Sequence, residues 1–172
     1  GNNVTDIDYL NPNSSWKTEG GFTQLFGEDP SYAGDYSSST YLEAASGVSV
    51  SGGYAYVAST LDNSLTVLDV SDPSSPQRFG FYSSSTYLDD ARSVSVSGGY
   101  AFVASSRSDS LTVVDVSDPS SPQRVGFYSS STYLEGAFSV SVSGGYAFVA
   151  SSRSDSLTVL DVSDPSSPQR FG

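Results

Sequence analysis

The stretch SVSVSGGYAFVASSRSDSLTVVDVSDPSSPQRVGFYSS (Ser93–Ser130) decides the fold. Ser and Val alternate over Ser93–Ser97, which is the two-residue period of a β-strand with one apolar face. Gly98-Gly99 follows, a two-residue link whose glycines accept the positive φ that a tight hairpin turn needs. YAFVAS (Tyr100–Ser105) is the returning strand, and the polar loop SRSD (Ser106–Asp109) leads into a third, SLTVVDV. That third strand carries Leu111, Val113 and Asp115 on one face and Thr112, Val114 and Val116 on the other. Strands two and three are therefore apolar on both sides, and both sides should be covered. The corner DPSSP closes the third strand: Asp accepts backbone N–H bonds, while Pro119 and Pro122 fix φ and remove donors. QRVGFYSS then reads as a fourth strand.

The same text returns with a period of 46. DVSDPSSPQR begins at Asp69, Asp115 and Asp161, and Tyr54, Tyr100 and Tyr146 keep the same spacing. The units are residues 34–79, 80–125 and 126–172, and residues 1–33 form a non-repeat segment. Units two and three differ only at Asp89/Glu135, Asp90/Gly136, Arg92/Phe138, Val114/Leu160 and Val125/Phe171. Four antiparallel strands in each of several 40-to-50-residue repeats is the pattern of β-propeller blades, whose neighbours cover both faces. A β-solenoid is the alternative, but its coils are shorter and have fewer tight hairpins. The expected fold is all-β: a β-propeller-type repeat of four-stranded antiparallel blades, three 46-residue units per chain.

LTVLD (Leu65–Asp69), LTVVD (Leu111–Asp115) and LTVLD (Leu157–Asp161) resemble the core of the LVIVD repeat. VSVSGGYAYVAS before the motif and DVSDPSSPQRFG after it extend the likeness across residues 34–172. The resemblance implies a secreted or surface propeller and brings no catalytic motif. The repeat is slightly longer than the common pattern, through SSSTYL and the loop before strand three.

Propeller rings use about four to eight blades, so three units do not close one alone. Two chains closing a six-bladed ring, a piece of a longer protein, and strand addition between chains are the three ways to reconcile this. Gly172 falls where earlier copies continue into FYSSSTYL, which predicts an outer strand cut short. The chain begins at Gly1 and contains no Met, as a processed or engineered product or a fragment would. Residues 1–33 are expected to donate a strand that completes an unfilled blade in the same or a neighbouring chain, with Val4, Ile7, Tyr9, Trp16, Phe22, Leu25 and Phe26 as the apolar positions of the assembly segment. Asn3-Val4-Thr5 and Asn13-Ser14-Ser15 match the N-glycosylation acceptor pattern.

Composition narrows the function classes. The 172 residues carry a net charge of −12, which leaves no basic patch to neutralise nucleic-acid phosphate or an anionic membrane. With no Cys there is no disulfide, zinc thiolate site or Cys nucleophile, and with no His the commonest general base and transition-metal ligand is missing. No apolar run is long enough to span a bilayer. Serine is abundant, yet there is no G-x-S-x-G elbow. Asp69 and Asp72 lie in no Asp-x-Asp-x-Asp-Gly calcium loop and have turn roles instead. Ser-, Tyr- and Gly-rich, acidic, Cys-free text fits an extracellular or cell-surface protein.

The Gly-Gly hairpins and DPSSP corners share one end of each blade and scarcely vary. Differences gather at the other end, where rigid scaffolds commonly build binding faces. The candidate binding face is Leu61, Asp90, Arg92, Arg107, Phe138 and Arg153, and the structural turn positions are Asp69, Pro73, Asp115, Pro119, Asp161 and Pro165. The expectation is a non-enzymatic scaffold for protein binding or adhesion, with no cofactor, no catalytic residue and no metal ligand. The alternative is a self-assembling subunit of an extracellular filament or surface layer, joined by strand complementation. The expected partner is a second copy, or another surface protein or glycan; nucleic acid and membrane insertion are not expected.

Overall fold

A computed structural model of the protein describes residues 32–171. The expectations placed on residues 1–31, including the strand-donating apolar positions and both acceptor patterns, lie outside the described residues. Twelve strands, all antiparallel, occur among the described residues. Blade 1 is β1 (Ala45–Ser51), β2 (Tyr54–Ser59), β3 (Ser64–Asp69) and β4 (Gln77–Ser83). Blade 2 repeats this as β5 (Ala91–Ser97), β6 (Tyr100–Ser105), β7 (Ser110–Asp115) and β8 (Gln123–Ser129). Blade 3 is β9 (Ala137–Ser143), β10 (Tyr146–Ser151), β11 (Ser156–Asp161) and β12 (Gln169–Arg170). Each sheet runs in sequence order from inner to outer strand.

Local chemistry explains each connection. The first hairpin turns on Gly98 and Gly99 at φ 59° and 81°, the left-handed pair that matches strand twist. The second loop ends on Asn63, Asp109 or Asp155 at φ 49°, 46° and 48°, where Asn and Asp pay the smallest strain among residues with a Cβ. At the corner, Asp115 Oδ1 accepts the Ser117 N–H at 2.9 Å and its hydroxyl at 2.7 Å. Asp118 repeats the arrangement with Ser120. Two consecutive Asx turns thus consume the amides that the strand end frees.

The sheets stack face to face. One core lies between blades 1 and 2, where Tyr56, Ala58, Leu65 and Val67 meet Leu88, Ala91, Val94, Val103 and Val114. Its copy lies between blades 2 and 3, where Phe102, Ala104, Leu111 and Val113 meet Leu134, Ala137, Val140, Val149 and Leu160. Each blade therefore has a leading face, turned to the blade after it, and a trailing face, turned to the blade before.

Polar contacts fix the register between blades. Inner strands expose unpaired N–H groups, and serines of the preceding blade accept them: Val96 N–H reaches Ser49 Oγ at 3.2 Å, and Val140 and Val142 reach Ser93 and Ser95 at 3.2 and 3.3 Å. The alternating SVSVS text thus places valine in one core and serine on the neighbouring backbone. Asn63 Oδ1 accepts the Asp90 N–H at 2.8 Å, and Asp109 Oδ1 accepts the Gly136 N–H at 2.9 Å. The repeated corner also packs between blades. A Cβ added at Gly80 would collide with the carbonyl oxygen of Pro119, and one at Gly126 with that of Pro165. Only glycine lets an outer strand lie this close to the next corner.

Candidate interaction surfaces

The loop end holds the six predicted binding-face residues. Arg92 and Phe138 are not in loops: each is the extra residue of a bulge in β5 or β9, where the register skips from Ala91 to Ser93 and from Ala137 to Ser139. The bulge aims the side chain out of the ladder. Arg92 Nη2 lies 2.9 Å from buried Asp90, and the same guanidinium sits 5.7 Å from the Phe138 ring centroid, so it ties blade 2 to blade 3. Arg107 is exposed, 3.8 Å from Asp89. Leu61 and Arg153 lie on the β2–β3 and β10–β11 loops, two blades apart, and Leu61 is exposed. Asp90, Arg92 and Phe138 therefore form one seam cluster; Leu61, Arg107 and Arg153 stand on three different loops. The remaining arginines are employed on the outer strands: Arg78, Arg124 and Arg170 stack over Tyr41, Tyr87 and Tyr133 at 4.2 to 4.4 Å.

The opposite end is acidic. Asp69, Asp115 and Asp161, together with Asp72, Asp118 and Asp164, are held below the ordinary carboxylate range by a serine hydroxyl and then by that serine's N–H. A hollow of about 260 Å³ beside Asp115, Ser117, Asp118 and Gln123 opens there. One oxygen of each carboxylate, Oδ1, is used by the turn that carries it. Among the described residues, no group of three or more carboxylates gathers as a metal site would need.

The blade faces carry a signal that the loop variation does not. Leu111 is fully buried between blades 2 and 3, while Leu157 at the same position of blade 3 is 67% exposed. Phe102 is 3% exposed and Phe148 36%. A hollow of about 370 Å³ opens between Phe138, Ala150, Asp155 and Leu157 on this leading face. The trailing face of blade 1 mirrors it: Val94 and Val140 are buried, but Val48 is exposed, as is Val50 at 67%. Sequence inspection missed these faces because Leu65, Leu111 and Leu157 occupy one text. Only position in the stack separates them.

Three stacked four-stranded sheets joined through their inner strands define a β-propeller-type repeat protein. The family model of the LVIVD repeat matches residues 44–83, 89–130 and 136–172. The chain belongs to the LVIVD repeat family. No curated protein matches it. Among solved structures it is similar to a functionally unknown protein from Desulfotomaculum acetoxidans DSM 771, with a TM-score of 0.62 and 16% identity over 77% of this chain and 43% of that one. The chain spans less than half the length of that protein. It is also similar to the computationally designed Ika4 protein, with a TM-score of 0.58 and 10% identity over 76% of this chain and 71% of the other. At these identities the likeness is one of fold.

Proposed function

We propose that this chain is a non-enzymatic scaffold of the cell surface or extracellular space that works by docking proteins onto its blade faces. The observation that carries the reading is the leading face of blade 3, which no blade covers among the described residues. Leu157 and Phe148 face solvent there at positions whose copies are buried against a blade. Exposed apolar faces of this kind mark interaction sites. The absence of His and Cys from the whole chain removes the usual nucleophile–base pairs and supports a role without catalysis. Ser- and Tyr-rich, acidic, Cys-free composition supports the location. Repeated docking along one direction would build a filament or surface layer, and a single docking would serve adhesion.

Site-specific photocrosslinking in the producing cells tests the reading. A photoreactive residue at position 157 samples the blade face, and one at position 61 samples the loop end; both leucines are exposed. Protein adducts are expected from 157. Adducts from 61 alone, or from neither, would overturn it.

A further inference from the structure

We infer that the partner is a second copy of this chain, docked head to tail, whose residues 34–50 complete blade 3. The inference rests on the docking reading above and specifies its occupant.

Among the described residues, blade 3 lacks cover of a definite kind. In blades 1 and 2 the third strand is paired along its whole outer edge: Leu65 opposes Tyr82 and Val67 opposes Gly80, and likewise Leu111 opposes Tyr128 and Val113 opposes Gly126. In blade 3 the outer strand pairs only with Leu160 and Asp161, and Phe171 N–H reaches Val159 O at 3.0 Å. Among the described residues no strand opposes residues 156–158. Asp155 is exposed, whereas its copy Asp109 accepts two amides of the following unit, Ser130 N–H at its carbonyl (3.0 Å) and Gly136 N–H at its carboxylate (2.9 Å). Ser139 and Ser141 are exposed, whereas Ser93 and Ser95 cap Val140 and Val142.

The other end of the same chain carries the matching groups. Residues 34–42 read GDYSSSTYL, against GFYSSSTYL at 80–88 and 126–134. Residues 34–37 thus have the text of an outer strand, yet they form none. They already lie where such a strand lies against the next blade: a Cβ at Gly34 would meet the carbonyls of Pro73 and Ser74 at 2.7 and 2.6 Å, as Gly80 meets the following corner. Ala44 shares the positive φ of Asp90 and Gly136, at 54° against 60° and 67°. Val48 and Val50 stand exposed on the trailing face.

Repeat symmetry sets the pairing. Tyr36 of one copy lies opposite Leu157 of the other, and Asp155 takes the Ser38 and Ala44 amides. Ser139 and Ser141 accept Val48 and Val50. Each of these contacts reproduces one that exists within a blade or between blades of the chain. The interface is heterologous, and two copies bring together six blades, within the range that closes a ring.

Complementation by mixing tests this with the full chain. Leu157→Glu spoils only the leading face and Val50→Glu only the trailing face, and both replace exposed side chains, so each monomer folds. Light scattering should give the unaltered protein at least twice the 18.0 kDa chain mass and each variant the chain mass alone. An equal mixture of the variants should regain the doubled mass, because one intact face of each kind remains. Asp155→Ala should weaken association about tenfold without touching the apolar face. An unaltered protein that stays monomeric, or a mixture that fails to recover, overturns the second copy. If photocrosslinks from position 157 then reach a different protein, the docking reading survives; if they reach none, both fall.

Discussion

Asp115 shows at residue scale how the repeated corner is held. Its carboxylate accepts a hydroxyl and an amide from Ser117, and both favour the charged form. A carboxyl whose pKa is lowered by folding stabilises the native state above the ordinary carboxylate range, and that contribution disappears as pH falls through the lowered value. Ser117→Ala should raise the Asp115 pKa toward the ordinary range, followed by NMR titration of the side-chain carboxyl; an unchanged value would contradict the hydrogen bond. Gly80 is a second residue-scale case. Gly80→Ala drives a methyl into the Pro119 carbonyl and should cost about 1–3 kcal/mol in chemical denaturation. Gly98→Ala has no atom within 4 Å of the new methyl, but φ of 59° opposes it, so about 1–2 kcal/mol is expected from backbone strain alone.

At the scale of elements, the strands were legible and their neighbours were not. Alternation in SVSVS, the Gly-Gly link and the DPSSP corner are local signals, and the structure places the ends of β5 to β8 within two residues of the strands they predict. The bulge at Arg92 escaped notice because it is a register property of two strands, and the text around it looks like loop. The packing of Gly80 on Pro119 joins residues far apart in sequence, so nothing local announces it. Residues 34–37 carry strand text and form no strand: pairing needs a third strand alongside, and among the described residues none lies there. Of the six loop-end residues, Asp90, Arg92 and Phe138 lie together, where an ion pair within blade 2 holds the guanidinium whose ring contact crosses the seam to blade 3. Equivalent leucines give the energetic counterpart. In a monomeric Val50→Glu background, Leu111→Ala should cost about 2–5 kcal/mol, because it opens a cavity between two blades. Leu157→Ala, with most of its surface already in water, should cost under about 0.5 kcal/mol. Equal losses would mean that blade 3 is covered within the single chain.

For the whole molecule, the proposed assembly follows from repetition. A unit that buries its leading face on the next trailing face leaves one of each kind bare at the two ends of any open stack, and the two are complementary because the units are nearly identical. The absence of cysteine makes the pairing directly measurable. In the proposed pairing, positions 157 and 36 face each other only across copies, at the separation of cross-strand partners that a disulfide can span. Leu157→Cys in one preparation is mixed with Tyr36→Cys in another and oxidised. The account predicts a covalent species of twice the chain mass in the mixture and none from either variant alone. A dimer formed equally well by Leu157→Cys alone, or no dimer in the mixture, would contradict head-to-tail completion of blade 3.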